Sequence, residues 1–350
     1  MFKDIKQVMK DSVLYGIGNV AVKLVGFILI PLYTDAEYFS TADYGLMGLL
    51  EVTSQILIAV MGLSLYSGLI RWYWDAEYRD KQKTIFFTTL LFTILTSLCI
   101  GSVLWLNVGE LSALLVQQEG YSLGGELPYI LQLLILTSML GAVVEVPQNL
   151  LRLQRKPIYY SLTNIVRLFA TLVLTIYFTI SLHRGVSGVY EAQLVGIVIQ
   201  LLMVLPLVIK NSSCRVDRKC TIQLLAYSYP LVFPAIVGSL LTVFDRYIIN
   251  HFQGLDDVGF YSLGYKVGNT LKVFIVTSVQ LALTPLLMKK MNDPDNKRFY
   301  SKVLTYFSFG LMFCALGLNL FSREGIVWVT TNPDYICLLY TSDAADDSLR

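Results

Sequence analysis

Residues 84–107, TIFFTTLLFTILTSLCIGSVLWLN, decide the fold class of this chain. The stretch carries no charged residue. At a rise of about 1.5 Å per residue, it is long enough to cross the roughly 30 Å hydrocarbon core of a bilayer as one helix. Similar stretches recur along the chain, and their apolar residues run without strict alternation. They therefore predict membrane-spanning helices rather than the strands of a barrel.

Nine such stretches divide the chain at regular intervals. The predicted spans are residues 12–33, 44–69, 84–107, 127–151, 159–182, 188–209, 224–252, 258–287 and 300–321. Of the 350 residues, 55% are hydrophobic and 15% are charged, whereas soluble domains are about one quarter charged. We therefore predict an all-α polytopic membrane protein. The net charge of +2 and the lack of a basic, aromatic-rich domain argue against a nucleic-acid partner.

Lys and Arg residues are distributed unequally between the two sides of the predicted membrane. If the N-terminal side is taken as inner, the inner segments carry nineteen of them, and the outer segments carry only Arg184 and Arg323. Short cytoplasmic loops of membrane proteins are enriched in Lys and Arg. The bias therefore predicts a cytoplasmic N-terminus.

Two segments of the chain share a local pattern. STADYGLMGLLEV (residues 40–52) and LDDVGFYSLGYKV (residues 255–267) each have an acidic residue, one further residue, Gly, and then an aromatic-rich helix start. The two glycines are Gly45 and Gly259, and six predicted spans separate equivalent points. An even number of spans returns the chain to the same side, so the pattern predicts parallel repeats about an axis normal to the membrane.

The second of these segments lies within TVFDRYIINHFQGLDDVGFYSLGYKVG (residues 242–268), which has a membrane-embedded Asp-Arg, a short outer loop and Val-Gly-x-Tyr-Ser. Together with IPLYTDAEYFSTADYGLMGL (residues 30–49), it resembles the polysaccharide biosynthesis flippases of O-antigen and capsule repeat units. These belong to the multidrug/oligosaccharidyl-lipid/polysaccharide exporter superfamily. The resemblance spans residues 1–336. It implies two six-helix lobes, arranged as parallel repeats, with alternating access between them.

The implied architecture divides the chain into three parts. Residues 1–210 are expected to form the first six-helix lobe, and residues 211–336 a partial second lobe with helices seven to nine. Residues 337–350 are expected to be a non-native tail, because CLLYTSDAAD resembles the translation of a sequencing-library adapter. We therefore expect a fragment whose native form continues with at least three more helices.

The resemblance implies a transporter that flips undecaprenyl-diphosphate-linked oligosaccharide across the bacterial cytoplasmic membrane for O-antigen, and hence lipopolysaccharide, biosynthesis. The expected partners are this lipid-linked substrate, membrane lipids and other polysaccharide-assembly proteins. Two alternatives remain: a multidrug and toxin extrusion exporter of the same fold, and a membrane-bound polymerase or ligase of the same pathway. Because no catalytic constellation can be assembled from the sequence, we expect no enzyme, no cofactor and no metal site.

Ionisable residues within the predicted spans are the candidate functional groups, because a charge in the bilayer is costly and usually faces a wet cavity. Lys23, Arg246 and Lys266 predict a cationic cavity that binds the diphosphate of the carried lipid. Fixed cations would replace part of the diphosphate's hydration with charge-assisted hydrogen bonds. The cation at Lys23 favours an anionic cargo over the cationic drugs of the multidrug exporters.

Four acidic or basic residues are predicted to support this site or the fold. Glu51 and Asp245 are supporting charges, and each is alternatively a structural partner, Glu51 for Lys23 and Asp245 for a neighbouring cation. Glu145 and Arg167 lie at a similar depth in their spans and predict a structural ion pair.

Overall fold

The computed structural model describes residues 28–115, 125–213, 215–241, 244–276, 296–332 and 335. These ranges contain thirteen α-helices and no β-strand. The helices are α1 (Ile30–Tyr33), α2 (Thr41–Gly62), α3 (Leu65–Trp72), α4 (Gln82–Leu106), α5 (Val108–Leu115), α6 (Leu127–Leu153), α7 (Pro157–Ile176), α8 (Gly185–Asn211), α9 (Arg218–Leu241), α10 (Phe244–Phe252), α11 (Leu255–Leu271), α12 (Asn296–Leu320) and α13 (Ser322–Val329). A 3₁₀ turn precedes α4, and π turns follow α7 and α11.

Seven helices are long and apolar enough to cross a membrane: α2, α4, α6, α7 with its π turn, α8, α9 and α12. Each coincides with a predicted span, so the all-α polytopic fold is confirmed. The predicted spans 12–33 and 258–287 lie partly outside the described residues. Lys23, residues 277–295 and the tail from residue 337 also lie outside them.

One predicted span is divided in the structure. The span 44–69 breaks between α2 and α3, where Leu63 and Ser64 have positive φ angles of 44° and 50°. Hydropathy alone could not indicate this break, because the apolar stretch runs through it. The span 224–252 contains most of α9 and all of α10, and residues 242 and 243 between them lie outside the described residues. By contrast, α6 continues through Pro147, and α9 continues through Pro230 and Pro234.

Several threonine hydroxyls in α4 form hydrogen bonds within the helix bundle. Thr89 donates to the carbonyl of Ile85, and Thr93 donates to the carbonyl of Thr89, each at 2.9 Å. Thr96 also reaches the carbonyl of Met61 at the end of α2, at 2.8 Å. In lipid every polar group needs an internal partner, and these bonds explain how a Thr-rich stretch forms a membrane span.

Residues 41–259 form one compact unit. Its most extensive contacts join α7 to α8, α6 to α8, α4 to α6 and α2 to α6. In addition, α9 packs on α2 and α3, where Gly68 allows close approach: a Cβ there would lie 2.7 Å from the Ser228 hydroxyl. The predicted lobe boundary at residue 210 is not tested by this unit and remains a prediction.

Residues 1–40 and 260–350 form the second compact unit. Within its described part, Thr331 donates its hydroxyl to the carbonyl of Pro31 at 3.0 Å and its backbone N–H to the Thr34 hydroxyl at 3.3 Å. The rings of Phe260 and Tyr335 meet edge to face, with centroids 5.5 Å apart. These contacts join the segment after α13 to the segments at α1 and α11.

The repeated segments around Gly45 and Gly259 meet at the first turns of α2 and α11. A Cβ at Gly45 would overlap the carbonyl of Leu255, and a Cβ at Gly259 would lie 2.5 Å from the carbonyl of Thr41. Each glycine thus faces the residue four positions before the other glycine. Such reciprocal contact is what a two-fold relation between like segments produces. The Thr41 hydroxyl also donates to the carboxylate of Asp256.

One end of the same unit is rich in Lys and Arg, and we call it the basic end. The segment between α8 and α9, together with the last residue of α8, forms an ion pair and a hydrogen bond with residues of this end. Lys81 forms an ion pair with Asp217, and Gln154 donates to Asn211 at 2.9 Å. The hydrogen bond from Lys81 lowers the pKa of the Asp217 carboxyl, and the same bond raises the pKa of Lys81. Because this pair is exposed, we expect it to contribute little to stability.

Candidate functional site

A polar cavity of about 250 Å³ lies inside the unit 41–259, between α2, α6, α7 and α8. We call it the bundle cavity. The charged and amide side chains that line it are Glu145, Gln148, Asn149 and Arg152 from α6, Asn164 and Arg167 from α7, and Gln193 and Gln200 from α8.

The bundle cavity extends from the basic end toward the middle of the helices. Arg152 and Tyr160 line it beside the turn between α6 and α7. Arg152 is exposed, donates to the Tyr160 hydroxyl and lies over the Tyr160 ring, 4.8 Å from its centroid. At the opposite end of the bundle cavity, the last lining residue on α6 is Thr137. From Thr137 to Arg152 the lining covers about 22 Å of helix length.

A chain of hydrogen bonds fixes one wall of the bundle cavity. Arg167 donates through Nη1 to Gln200 Oε1 at 3.0 Å, and Gln200 Nε2 donates to Asn164 Oδ1 at 2.9 Å. Asn164 Nδ2 then donates to the carbonyl of Tyr160 at 3.0 Å. Because each member positions the next, this wall presents the guanidinium of Arg167 in a fixed orientation.

Several polar atoms facing the bundle cavity have no partner among the described residues. The Glu145 carboxylate accepts no hydrogen bond from them and forms no ion pair within 4.0 Å. The Gln193 amide is likewise without a hydrogen bond to them. Gln148 Oε1 and Thr137 Oγ1 are buried without a partner. Buried polar groups are normally satisfied, so this set indicates a site that binds water or a polar ligand.

Small residues let the helices around the bundle cavity approach closely. A Cβ at Gly196 of α8 would lie 3.2 Å from the carbonyl of Arg167 and would overlap the Thr171 hydroxyl. A Cβ at Gly141 of α6 would lie 3.1 Å from Ile58 of α2. Within a membrane, such small residues allow the tight packing that holds helices together.

The sequence of the chain matches a known protein family over most of its length. The family described as "Polysaccharide biosynthesis protein" matches residues 8–291. The chain belongs to this polysaccharide biosynthesis family. The resemblance predicted from residues 30–49 and 242–268 is thereby confirmed. No curated protein sequence matches the chain.

Solved structures similar to this member of the polysaccharide biosynthesis family are transporters. The MATE multidrug transporter DinF-BH has a TM-score of 0.68 at 16% identity, and the similarity covers 93% of this chain and 78% of that one. A MOP superfamily transporter from Pyrococcus furiosus gives 0.65 at 15%, covering 95% and 76%. The Vibrio cholerae MATE transporter VcmN D35N mutant gives 0.62 at 16%, covering 95% and 76%. The family member therefore has the fold of MOP superfamily transporters.

The described residues of the predicted cationic cavity and its supporting charges lie in different surroundings. Arg246 is buried, with 4% of its surface exposed, and donates through Nη1 to the carbonyl of Gly48 in α2 at 3.3 Å. Asp245 accepts the backbone N–H of Arg246 at 2.8 Å, and Glu51 is exposed on α2. Lys266 is half-buried on α11 in the other compact unit. Because Lys23 lies outside the described residues, the cationic cavity remains a prediction.

Glu145 and Arg167 both line the bundle cavity, as their similar predicted depth suggested. Arg167 donates to Gln200, and no ion pair within 4.0 Å joins the two described side chains. Their role as a structural pair therefore remains a prediction.

The uncharged polar residues of the bundle cavity are not among the predicted site residues, although their spacing is informative. Gln193 and Gln200 of α8 are seven residues apart, and seven residues bring a side chain back to nearly the same helix face. Charge alone does not indicate amides with this spacing. Among the described residues, no group of three or more His, Cys, Asp or Glu side chains is placed to hold a metal ion.

Proposed function

We propose that this member of the polysaccharide biosynthesis family is an exporter that flips undecaprenyl-diphosphate-linked oligosaccharide repeat units across the bacterial cytoplasmic membrane. The family match over residues 8–291 carries the proposal. It is supported by the fold, since the similar structures are transporters. The lipid-linked oligosaccharide is the proposed cargo. Membrane lipids and other polysaccharide-assembly proteins are the proposed partners.

A multidrug exporter is the second candidate, because the solved structures with this fold include MATE multidrug transporters. The family match favours a polysaccharide-related cargo instead, and the predicted cations Lys23, Arg246 and Lys266 favour an anionic one. A polymerase or ligase is disfavoured because the family member has a transporter fold. Complementation of a bacterial host that lacks its own flippase, scored as surface polysaccharide, tests the proposal directly.

The proposed orientation places the N-terminus and the basic end in the cytoplasm, since short Lys- and Arg-rich loops remain there. We expect single cysteines at Gln253 and at Lys219 to label differently when the five native cysteines are replaced by Ser. Both positions are exposed. Gln253→Cys should react with a membrane-impermeant maleimide in intact cells, and Lys219→Cys only after permeabilisation. The reverse pattern contradicts the orientation.

The predicted diphosphate contacts are tested at Lys23 and Lys266. We expect Lys23→Ala and Lys266→Ala each to reduce surface polysaccharide in the flippase-deleted host at equal protein amounts. The corresponding Arg variants should retain more export, because Arg keeps the charge that pairs with a phosphate. Wild-type export by both Ala variants would rule out a role for these two cations.

The competing structural role of Lys23 has its own control. If Lys23 only neutralises Glu51 within the membrane, removing both charges together leaves no unpaired charge and restores function. We therefore expect the double variant Lys23→Ala with Glu51→Ala to remain as defective as Lys23→Ala. Normal export by the double variant would assign Lys23 a structural role.

A further inference from the structure

We propose that the bundle cavity is a saccharide subsite that binds one sugar ring of the carried oligosaccharide. The inference rests on the proposed function for its choice of cargo, and it locates a contact with that cargo within the unit 41–259. Arg246, which lies in the same unit, is not among the residues that line the bundle cavity. The sugar would therefore be bound by groups other than Arg246.

The polar atoms of the bundle cavity match the chemistry of sugar hydroxyls. A hydroxyl both donates and accepts hydrogen bonds. The bundle cavity offers acceptors at the Glu145 carboxylate and Gln148 Oε1, and donors at the Arg167 guanidinium, of which only Nη1 is committed to Gln200. Gln193 offers both kinds of atom. A ligand with several hydroxyls on one ring satisfies this mixed set.

The size of the bundle cavity limits the ligand to a single ring. Pockets for drug-sized ligands occupy about 300–1,000 Å³. At about 250 Å³, this one is slightly smaller and cannot enclose an oligosaccharide. A terminal or branching sugar is therefore the part that would enter, while the rest of the cargo stays outside.

The position of the bundle cavity fits the loading side of the proposed export reaction. Its lining reaches the basic end at Arg152 and Tyr160, the end that we propose to be cytoplasmic. A lipid-linked oligosaccharide must be taken up from that side before it is flipped. The exposed Arg152 lies at this limit, where it can contact a sugar that enters.

The hydrogen-bonding groups that line the bundle cavity suit a sugar better than a zwitterion. An amino acid or a similar zwitterion carries two opposite charges. A site for it therefore needs a cation and an anion and few other partners. Here amide side chains from α6, α7 and α8 outnumber the charged ones, and the Gln193 amide and Gln148 Oε1 can pair with neutral hydroxyls. Water alone is the remaining occupant, and a binding measurement separates it from sugar.

The test is direct binding of free monosaccharides to the purified full chain in detergent. The probes are D-glucose, D-galactose and N-acetyl-D-glucosamine, and glycine is the zwitterionic probe. Saturation-transfer NMR detects binding of each probe, and titration measures its affinity. We expect saturable binding of at least one sugar and none of glycine. Gln193→Leu and Glu145→Gln should each weaken that sugar about tenfold, the effect of losing one or two hydrogen bonds.

These two variants are chosen because neither side chain forms a hydrogen bond to another described residue, so each substitution removes no hydrogen bond within the described part of the chain. Unchanged melting temperatures check this point. Gln253→Leu is the matched control: the same substitution at an exposed position outside the bundle cavity should leave sugar binding unchanged. The subsite is refuted if no probe sugar binds, if glycine binds instead, or if Gln193→Leu and Glu145→Gln bind as tightly as the wild type.

Failure of the subsite and failure of the proposed function give different results. If the wild type restores surface polysaccharide but no sugar binds, the export proposal stands and the subsite is wrong. If a sugar binds in a Gln193-dependent way but no polysaccharide is exported, the subsite stands and the proposed cargo is wrong.

Discussion

Alanine at Gly45 or at Gly259 is expected to destabilise the protein by about 1–3 kcal/mol, the usual cost of forcing an extra carbon into a packed contact. The new methyl group at Gly45 would overlap the carbonyl of Leu255, and that at Gly259 would lie 2.5 Å from the carbonyl of Thr41. Backbone atoms cannot rotate away as a side chain does, so α2 and α11 must separate. The melting temperature of the purified protein should fall by several degrees for each variant.

Gly238→Ala is the matched control for this prediction. Gly238 lies in α9, and a Cβ there would meet no atom within 4 Å. Alanine is more favourable than glycine within a helix by about 0.5–1 kcal/mol, so this variant should melt at the same temperature as the wild type or higher. If Gly45→Ala and Gly238→Ala melt alike, the close approach of the two helices does not contribute to stability.

The repeat around Gly45 and Gly259 shows what a sequence pattern can predict about a fold. The shared Asp-x-Gly pattern and the even number of intervening spans predict that both segments lie on one side of the membrane. The pattern does not reveal that the two glycines face each other, because it carries no information on which helices touch. Only the structure shows the reciprocal contacts with Leu255 and Thr41.

The positions of the spans could be predicted, but the break within the span 44–69 could not. Length and hydropathy locate a helix because the bilayer demands about 20 apolar residues. The turn at Leu63 and Ser64 contains neither Gly nor Pro, and Ser64 is 5% exposed. Surrounding protein stabilises such a turn, and a composition pattern contains no record of those neighbours.

Only the charged residues of the candidate site can be predicted from the sequence. Glu145 and Arg167 are conspicuous as charges in apolar spans, and both line the bundle cavity. Their roles are harder to predict, since the partner of Arg167 is the uncharged Gln200. An amide carries no charge to mark it as a candidate group in a membrane span, yet it can form as many hydrogen bonds as a carboxylate.

The second large effect is expected at Arg246, where stability and export should respond to different properties of the side chain. Its guanidinium is buried between α10 and α2 and bonds the carbonyl of Gly48. The neighbouring Tyr247 hydroxyl lies 2.7 Å from the Thr53 hydroxyl, so α10 is docked on α2 by two polar contacts. Arg246→Ala removes both the packing of a long side chain and the bond to Gly48. We expect it to lower the melting temperature by at least as much as Gly45→Ala.

Methionine at position 246 separates packing from charge. Methionine keeps much of the length of the buried side chain and lysine keeps its charge as well, so Arg246→Met and Arg246→Lys should both melt above Arg246→Ala. If Arg246 contributes charge to diphosphate recognition, export in the flippase-deleted host should follow the charge. Arg246→Lys should then retain most of the surface polysaccharide, whereas Arg246→Met should lose about tenfold or more, the effect of one charge-assisted hydrogen bond. Equal export by the Met and Lys variants at equal protein amounts would show that Arg246 only anchors α10 to α2, and Lys23 and Lys266 would remain as the predicted diphosphate contacts.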